Sequence, residues 1–329
     1  MTSVTIPDTV TKIKEGAFSG CSSLKAFNGK FVSADNRCLI IDGVINSFAP
    51  AGLTEYTIPN SVTEIGNCAF YDCSGLESVA IPNSVTKIGY DAFRGCSSLT
   101  SITIPNSVTE IGDDVFRGCS SLANVTIPNS VTEIGVEAFS DCSSLISVTI
   151  PDSVTVIGYR TFFYCSSLAR VTIPNSVTMI GEGAFRGCSS LISITIPNSV
   201  TKIVDDAFRD CSSLISVTIP NSVTEIEEGA FSGCSSLTSV TIPDSVTEIG
   251  RVAFVGCSSL TCVTIGNSVA EIGNLAFYGC SSLQTIICKP TIPPILVGRV
   301  FGGIPSYATI IIPEGCEESY MNSEWRKIL

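Results

Sequence analysis

Cysteine recurs with a regularity that demands a chemical explanation: Cys73, Cys96, Cys119, Cys142, Cys165, Cys188, Cys211, Cys234, Cys257 and Cys280 stand 23 residues apart, and Cys21 shares their repeat position. In a stack of repeats these thiols form a line with neighbours about 4.8 Å apart. That is not the compact tetrahedral cluster zinc requires. Parallel Cβ vectors also disfavour the near-90° torsion of a disulfide. The expectation is a row of buried, reduced thiols packing as small hydrophobes, suited to a cytoplasm or an anaerobic exterior. Cys68, Cys262 and Cys316 lie outside the row. Cys262 falls on an outward strand position, where an accessible thiol is expected.

The remaining side chains narrow the chemistry further. There is no histidine, which removes Ser-His and Cys-His pairs, the commonest general base and the usual catalytic-zinc ligand sets. The glycines never form a phosphate-binding Gly-x-Gly-x-x-Gly. Carboxylates recur at Asp113 and Asp114, Glu137, Glu182, Asp205 and Asp206, and Glu227 and Glu228, a pattern that hard-oxygen calcium ligation could use. Tyr159, Arg160, Arg251 and Leu275 interrupt those rows, so a solvated acidic face is the expectation, partly neutralised by Arg94, Arg117, Arg186 and Arg209. No catalytic, cofactor-binding or metal-binding residues are therefore assigned, and no cofactor is expected. With 18 basic and 30 acidic residues the net charge is −12, which repels nucleic acid and anionic lipid. No uncharged apolar run reaches the length of a spanning helix, so membrane insertion is not expected either.

The elements that carry these residues follow from one unit, residues 96–118, Cys-Ser-Ser-Leu-Thr-Ser-Ile-Thr-Ile-Pro-Asn-Ser-Val-Thr-Glu-Ile-Gly-Asp-Asp-Val-Phe-Arg-Gly. Leu99, Ile102 and Ile104 alternate with Ser101 and Thr103, the period-2 pattern of a short strand with one buried face. Pro105 ends the strand because it cannot donate to a ladder, and Asn106-Ser107 turn the chain. Val108, Ile111 and Phe116 face inward on the return path, with Gly112 and Gly118 marking bends. Such a unit buries its apolar face only against its neighbours, the logic of a solenoid.

The pattern Leu-x-x-Ile-x-Ile-Pro-x-x-Val-x-x-Ile-Gly-x-x-Ala-Phe-x-x-Cys resembles the leucine-rich repeats of the BspA-like bacterial surface protein family. The resemblance implies a right-handed leucine-rich-repeat stack of 23-residue units with a parallel β-sheet on one face and short turns or arcs on the other. It also implies surface exposure, with adhesion to host or matrix proteins for some members. One departure is that Ser107 stands where the commonest leucine-rich repeat has asparagine, so the asparagine ladder should be missing or remade by serine and backbone.

A single solenoid over 1–329 is expected: a first repeat at 1–24 truncated at its start, an atypical repeat at 25–52, regular repeats at 53–288 and a C-terminal cap at 289–329. In the atypical repeat, Asp42-Gly43 between apolar runs reads as the type I′ turn of a β-hairpin replacing one arc. Glu314 to Leu329 suits a short amphipathic helix, with Trp325 plugging the open end of the core. The opening Met1-Thr2-Ser3-Val4-Thr5-Ile6-Pro7 is already repeat sequence, which reads as an intracellular chain or a mature or trimmed form.

By elimination, the candidate partner-binding face is the outward side of the sheet: Ser101, Thr103, Asn124, Thr126, Ser147, Thr149, Arg170, Thr172, Ser193 and Thr195. It is rich in hydroxyls, and Arg170 is its one charge. The expected function is a non-enzymatic, adhesin-like scaffold, on the cell surface or secreted by family resemblance, engaging protein or glycan. A passive display spacer and a cytoplasmic protein-interaction scaffold are the alternative readings. The sequence leaves the oligomeric state open.

Overall fold

A computed structural model describes residues 1–328; Leu329, the last residue of the expected cap, lies outside the described residues. Two compact units, residues 1–168 and 169–329, are each built as stacked repeats.

In the first unit the strands Glu55–Thr57, Ser78–Ala80, Ser101–Thr103, Asn124–Thr126 and Ser147–Thr149 pair in parallel as neighbours, one per repeat. The register is a direct read-out of the period, with Ser78 opposite Ser101 and Ser101 opposite Asn124. Their central residues Tyr56, Val79, Ile102 and Val148 are buried while the flanking Ser101, Thr103, Asn124, Thr126, Ser147 and Thr149 are exposed. The second unit repeats this with Ser193–Thr195 beside Ser216–Thr218, and with Ser239–Thr241, Cys262–Ile265, Thr285–Cys288 and Thr309–Ile311 in one sheet.

The return path carries more than turns. Glu64–Ile65, Lys87–Ile88, Glu110–Ile111 and Glu133–Ile134 form a second parallel sheet of two-residue strands in the first unit. Lys202–Ile203 through Glu271–Ile272 do the same in the second. Each isoleucine enters the core and its neighbour stays outside.

Gly118 does mark a bend, at φ 72°, but the other left-handed position is Asp114, at φ 54°. Gly112 serves a different need: a Cβ there would lie 2.9 Å from the backbone nitrogen of Tyr90, so glycine allows the rungs to approach.

Between the sheets the phenylalanines stack face to face. Phe70, Phe93, Phe116, Phe139 and Phe162 follow one another at centroid separations of 4.9–5.6 Å. In the second unit Phe185 through Phe301 stack at 5.2–5.6 Å. All but Phe301 are fully buried among the core leucines, isoleucines and valines, each worth about 1.5–3 kcal/mol on burial.

Hydroxyls and thiols join rung to rung. Ser107 Oγ donates to the Val85 carbonyl at 2.5 Å, Ser130 to Val108 at 2.6 Å and Ser153 to Val131 at 2.5 Å; Ser199, Ser222 and Ser245 repeat the bond in the second unit. This is the missing asparagine ladder, remade by serine. The cysteine row is buried and unbridged, and each thiol from Cys96 to Cys165 donates to the carbonyl of a phenylalanine 26 residues earlier at 3.1 Å. Cys21 is only half-buried.

The hairpin forms as Cys38–Ile41 antiparallel to Val44–Phe48. Asp42 and Gly43 both take positive φ, 51° and 83°, as a type I′ turn demands. Its second strand joins the second sheet, Val44 and Ile45 lying opposite Glu64 and Ile65.

At the other end Lys289–Pro294 does not end the stack. Ile295–Leu296 pairs with Glu271–Ile272, and Phe301 stacks on Phe277. The helix Glu317–Met321 and a 3-10 turn Glu324–Lys327 follow, and Tyr320 and Trp325 are fully buried. Trp325 Nε1 donates to the Pro294 carbonyl and Tyr320 OH to that of Pro290, both at 2.8 Å.

Candidate functional site

The sheet face assembles from the strand sequence Ser-Val-Thr or Ser-Ile-Thr. Because successive side chains alternate, the middle residue of each strand turns to the core and the outer two to solvent. In the first unit Ser101 and Thr103, Asn124 and Thr126, and Ser147 and Thr149 thus come together on three adjacent strands. In the second unit Ser193 and Thr195 sit opposite Ser216 and Thr218. Arg170 and Thr172 are exposed on the strand Arg170–Thr172.

None of the six first-unit side chains is hydrogen-bonded within the described residues, although hydroxyls elsewhere in the repeat are spent on rung ladders. Thr132 Oγ1, for example, donates to the Thr109 carbonyl at 3.3 Å and Ser143 Oγ to that of Ser120 at 3.3 Å. The face therefore keeps its donors and acceptors for solvent or a partner.

The carboxylate rows behave differently. Arg94 bonds Asp91 at 3.0 Å and lies 3.8 Å from Asp114, while Arg117 bonds Asp114 at 3.0 Å and contacts Glu137. In the second unit Arg186 meets Asp206 at 2.8 Å and Arg209 meets it at 3.3 Å. The arginines thus knit neighbouring rungs together through the acids. Among the described residues no group of three or more Cys, Asp or Glu side chains is placed to hold a metal ion.

Burial sets the chemistry of the deepest thiols. Burial pushes Cys142, Cys234 and Cys257 well above the ordinary thiol value, and Cys280 up to about 12, so they stay protonated and poorly nucleophilic. Cys262 is half-buried on the sheet. Among the described residues no helix is long and apolar enough to cross a membrane.

Sequence reasoning missed a cleft of about 720 Å³ in the first unit between the first repeat and the hairpin, lined by Lys12, Glu15, Asn46, Asn67 and Tyr90 among others. Its one early signal was the broken period at the hairpin.

Two sheets of short parallel strands, a stacked phenylalanine spine and a residue-for-residue period define a leucine-rich-repeat solenoid. The chain belongs to the BspA type leucine rich repeat family, which matches it over residues 1–35, 45–169, 90–215, 158–284 and 201–323. A leucine-rich repeat protein from Bacteroides ovatus is similar at 33% identity, covering 84% of this chain and 75% of its own, with a TM-score of 0.70. A leucine rich cell surface protein from Faecalibacterium prausnitzii is 30% identical over 88% of this chain and 93% of its own, with a TM-score of 0.46. The pneumococcal vaccine antigen PcpA shares the fold at 22% identity, covering 98% of this chain and 86% of its own, with a TM-score of 0.55. No curated protein matches.

Proposed function

We propose that this chain is a non-enzymatic binding scaffold, displayed on a bacterial surface or secreted, which engages a protein or glycan through the outward hydroxyls of its first sheets. The observation that carries the reading is that Ser101, Thr103, Asn124, Thr126, Ser147 and Thr149 are exposed, in register and without hydrogen bonds from their side chains among the described residues. Ser193 and Thr195 continue the pattern in the second unit, and Arg170 and Thr172 add a charge and another hydroxyl. A regular array of uncommitted donors and acceptors matches the periodic groups of an extended backbone or sugar chain. Family resemblance supports the surface setting, since some BspA-like members adhere to host or matrix proteins.

The test is binding of the purified chain to immobilised matrix proteins and a glycan array, beside the variants Thr126→Arg with Thr149→Arg, and Arg170→Glu. Saturable binding lost in the double variant supports the sheet face. Binding indifferent to all three changes removes it, and no binding at tens of micromolar leaves the passive display spacer.

A further inference from the structure

The cleft beside the hairpin has a structural origin. The second sheet closes rung on rung on the hairpin's far side and beyond, the amide of Gly66 donating to the Ile45 carbonyl of the hairpin at 2.9 Å and that of Gly89 to the Ile65 carbonyl at 2.8 Å. Between Lys12–Glu15 and the hairpin no such backbone bond forms among the described residues. The hairpin register slips between Leu39 and Ile40, so that Ser47 and Ile45 are paired and Asn46 between them is not. That bulge frees Asn46 to bridge the gap by its side chain, Nδ2 donating to the Ile13 carbonyl at 3.4 Å. Bulges commonly re-aim a side chain in this way beside functional sites.

The walls are positioned by bonds across long sequence separations. Glu15 Oε2 accepts from Asn67 Nδ2 at 2.8 Å and from Tyr90 OH at 3.1 Å, while Asn67 Oδ1 accepts from the Tyr90 amide at 3.0 Å. Both ends of the Asn67 amide are thereby committed, and the Tyr90 ring is tethered although the residue is 45% exposed. The Lys12, Lys14, Asp42 and Glu64 side chains line the same cleft and make no hydrogen bond or ion pair among the described residues.

We infer that this cleft is a saccharide-binding site whose ligand is a neutral sugar unit. Its volume of about 720 Å³ lies within the roughly 300–1,000 Å³ of small-molecule sites. An anionic ligand would meet Glu15, Asp42 and Glu64, and a cationic one Lys12 and Lys14. Neutral hydroxyls both donate and accept, so a polyol satisfies both signs of wall at once without burying an unmatched charge. The tethered Tyr90 ring supplies the flat apolar surface on which the C–H face of a pyranose stacks. This site is independent of the sheet-face reading and shares none of its residues.

The experiment is saturation-transfer NMR and a microarray of neutral hexose and N-acetylhexosamine oligomers on the full chain. Sialylated and sulfated oligomers and free amino acids are the competing probes. Tyr90→Ala should weaken neutral-sugar binding about tenfold or more, Glu64→Gln should weaken it severalfold, and Tyr90→Phe, which keeps the ring but loses the bond to Glu15, should fall between the unaltered chain and Tyr90→Ala. Neutral-sugar binding that falls in Tyr90→Ala but not in Thr126→Arg with Thr149→Arg belongs to the cleft, and the reverse pattern belongs to the sheet face, which separates failure of this site from failure of the sheet face. Unchanged melting temperatures for Tyr90→Phe and Glu64→Gln keep the result interpretable if Tyr90→Ala misfolds. The proposal is overturned by no neutral-sugar binding at about 10 mM, the weak end of single-sugar affinities. It is overturned equally by binding confined to anionic sugars or amino acids, or by binding that Tyr90→Ala and Glu64→Gln leave intact.

Discussion

The thiol of Cys119 donates to the backbone carbonyl of Phe93 at 3.1 Å, from 26 residues further along the chain. The same relation recurs at Cys211, Cys234 and Cys257, and burial holds Cys119, Cys234 and Cys257 well above the ordinary thiol value. Burial raises Cys38, Cys280 and Cys288 from 9.0 to about 12. In the unfolded chain these groups ionise from about pH 9; in the folded one they do not. Above pH 9 the unfolded state therefore binds fewer protons, and stability present in full below that pH is lost as pH rises towards 12. Urea midpoints should be flat with respect to these thiols from pH 7 to 8.5 and then fall, as the unfolding free energy drops by about 1 kcal/mol per thiol per pH unit. A midpoint unchanged between pH 8.5 and 11 would contradict the burial of the row. Native-state alkylation at pH 8 should label the half-buried Cys21, Cys68, Cys262 and Cys316 ahead of the row.

The serine ladder makes a paired prediction. Ser130 Oγ donates to the Val108 carbonyl at 2.6 Å, whereas the equivalent Ser84 Oγ is buried without a partner among the described residues. Ser130→Ala removes a made bond and should cost about 1 kcal/mol. Ser84→Ala removes an unsatisfied donor and should be neutral or stabilising. Equal losses in chemical denaturation would show that the ladder contributes nothing specific.

Backbone strain singles out Val252. At the repeat position where Asp114, Asp206, Gly183 and Gly229 sit in the left-handed region, Val252 also takes φ 50°, a conformation its branched Cβ resists. Val252→Asn should stabilise the second unit by about 1 kcal/mol, because asparagine tolerates that region without glycine's entropy. Asp114→Val should lose at least as much, and with it the Arg117 pair. Thermal melts of the two variants moving in the same direction would refute the strain argument.

What could be read in advance follows from range. Ser101 and Thr103 alternate with Ile102 in a local period-2 signal, and Asp42-Gly43 is a local turn code, so the first sheet and the hairpin were visible. Glu110–Ile111 is too short for any period, and its pairing with Lys87–Ile88 exists only after stacking. The cleft depends on a bulge at Asn46 and on bonds such as Tyr90 to Glu15, 75 residues apart. No composition or spacing encodes such a relation. The sheet face was recognisable because its residues repeat; which of its hydroxyls stay uncommitted required the ladders to be seen.

Trp325 is fully buried with its ring 5.7 Å from Phe301, the final member of the phenylalanine stack, and 5.5 Å from Tyr320. Removing it leaves a cavity over the last rung, at a local cost of about 3–5 kcal/mol. Because repeat stability is a sum of nearest-neighbour terms, the loss should open the terminal rung first. In Trp325→Ala the amides of Phe277 and Gly279, which donate to Val300 and Gly302, should exchange hydrogen faster, while that of Phe93 on Val115 should keep its protection. Trp325→Phe, which keeps a ring over Phe301 but loses the bond to Pro294, should fall between. Uniform acceleration at all three amides would mean that Trp325 supports the whole chain cooperatively and is no local plug.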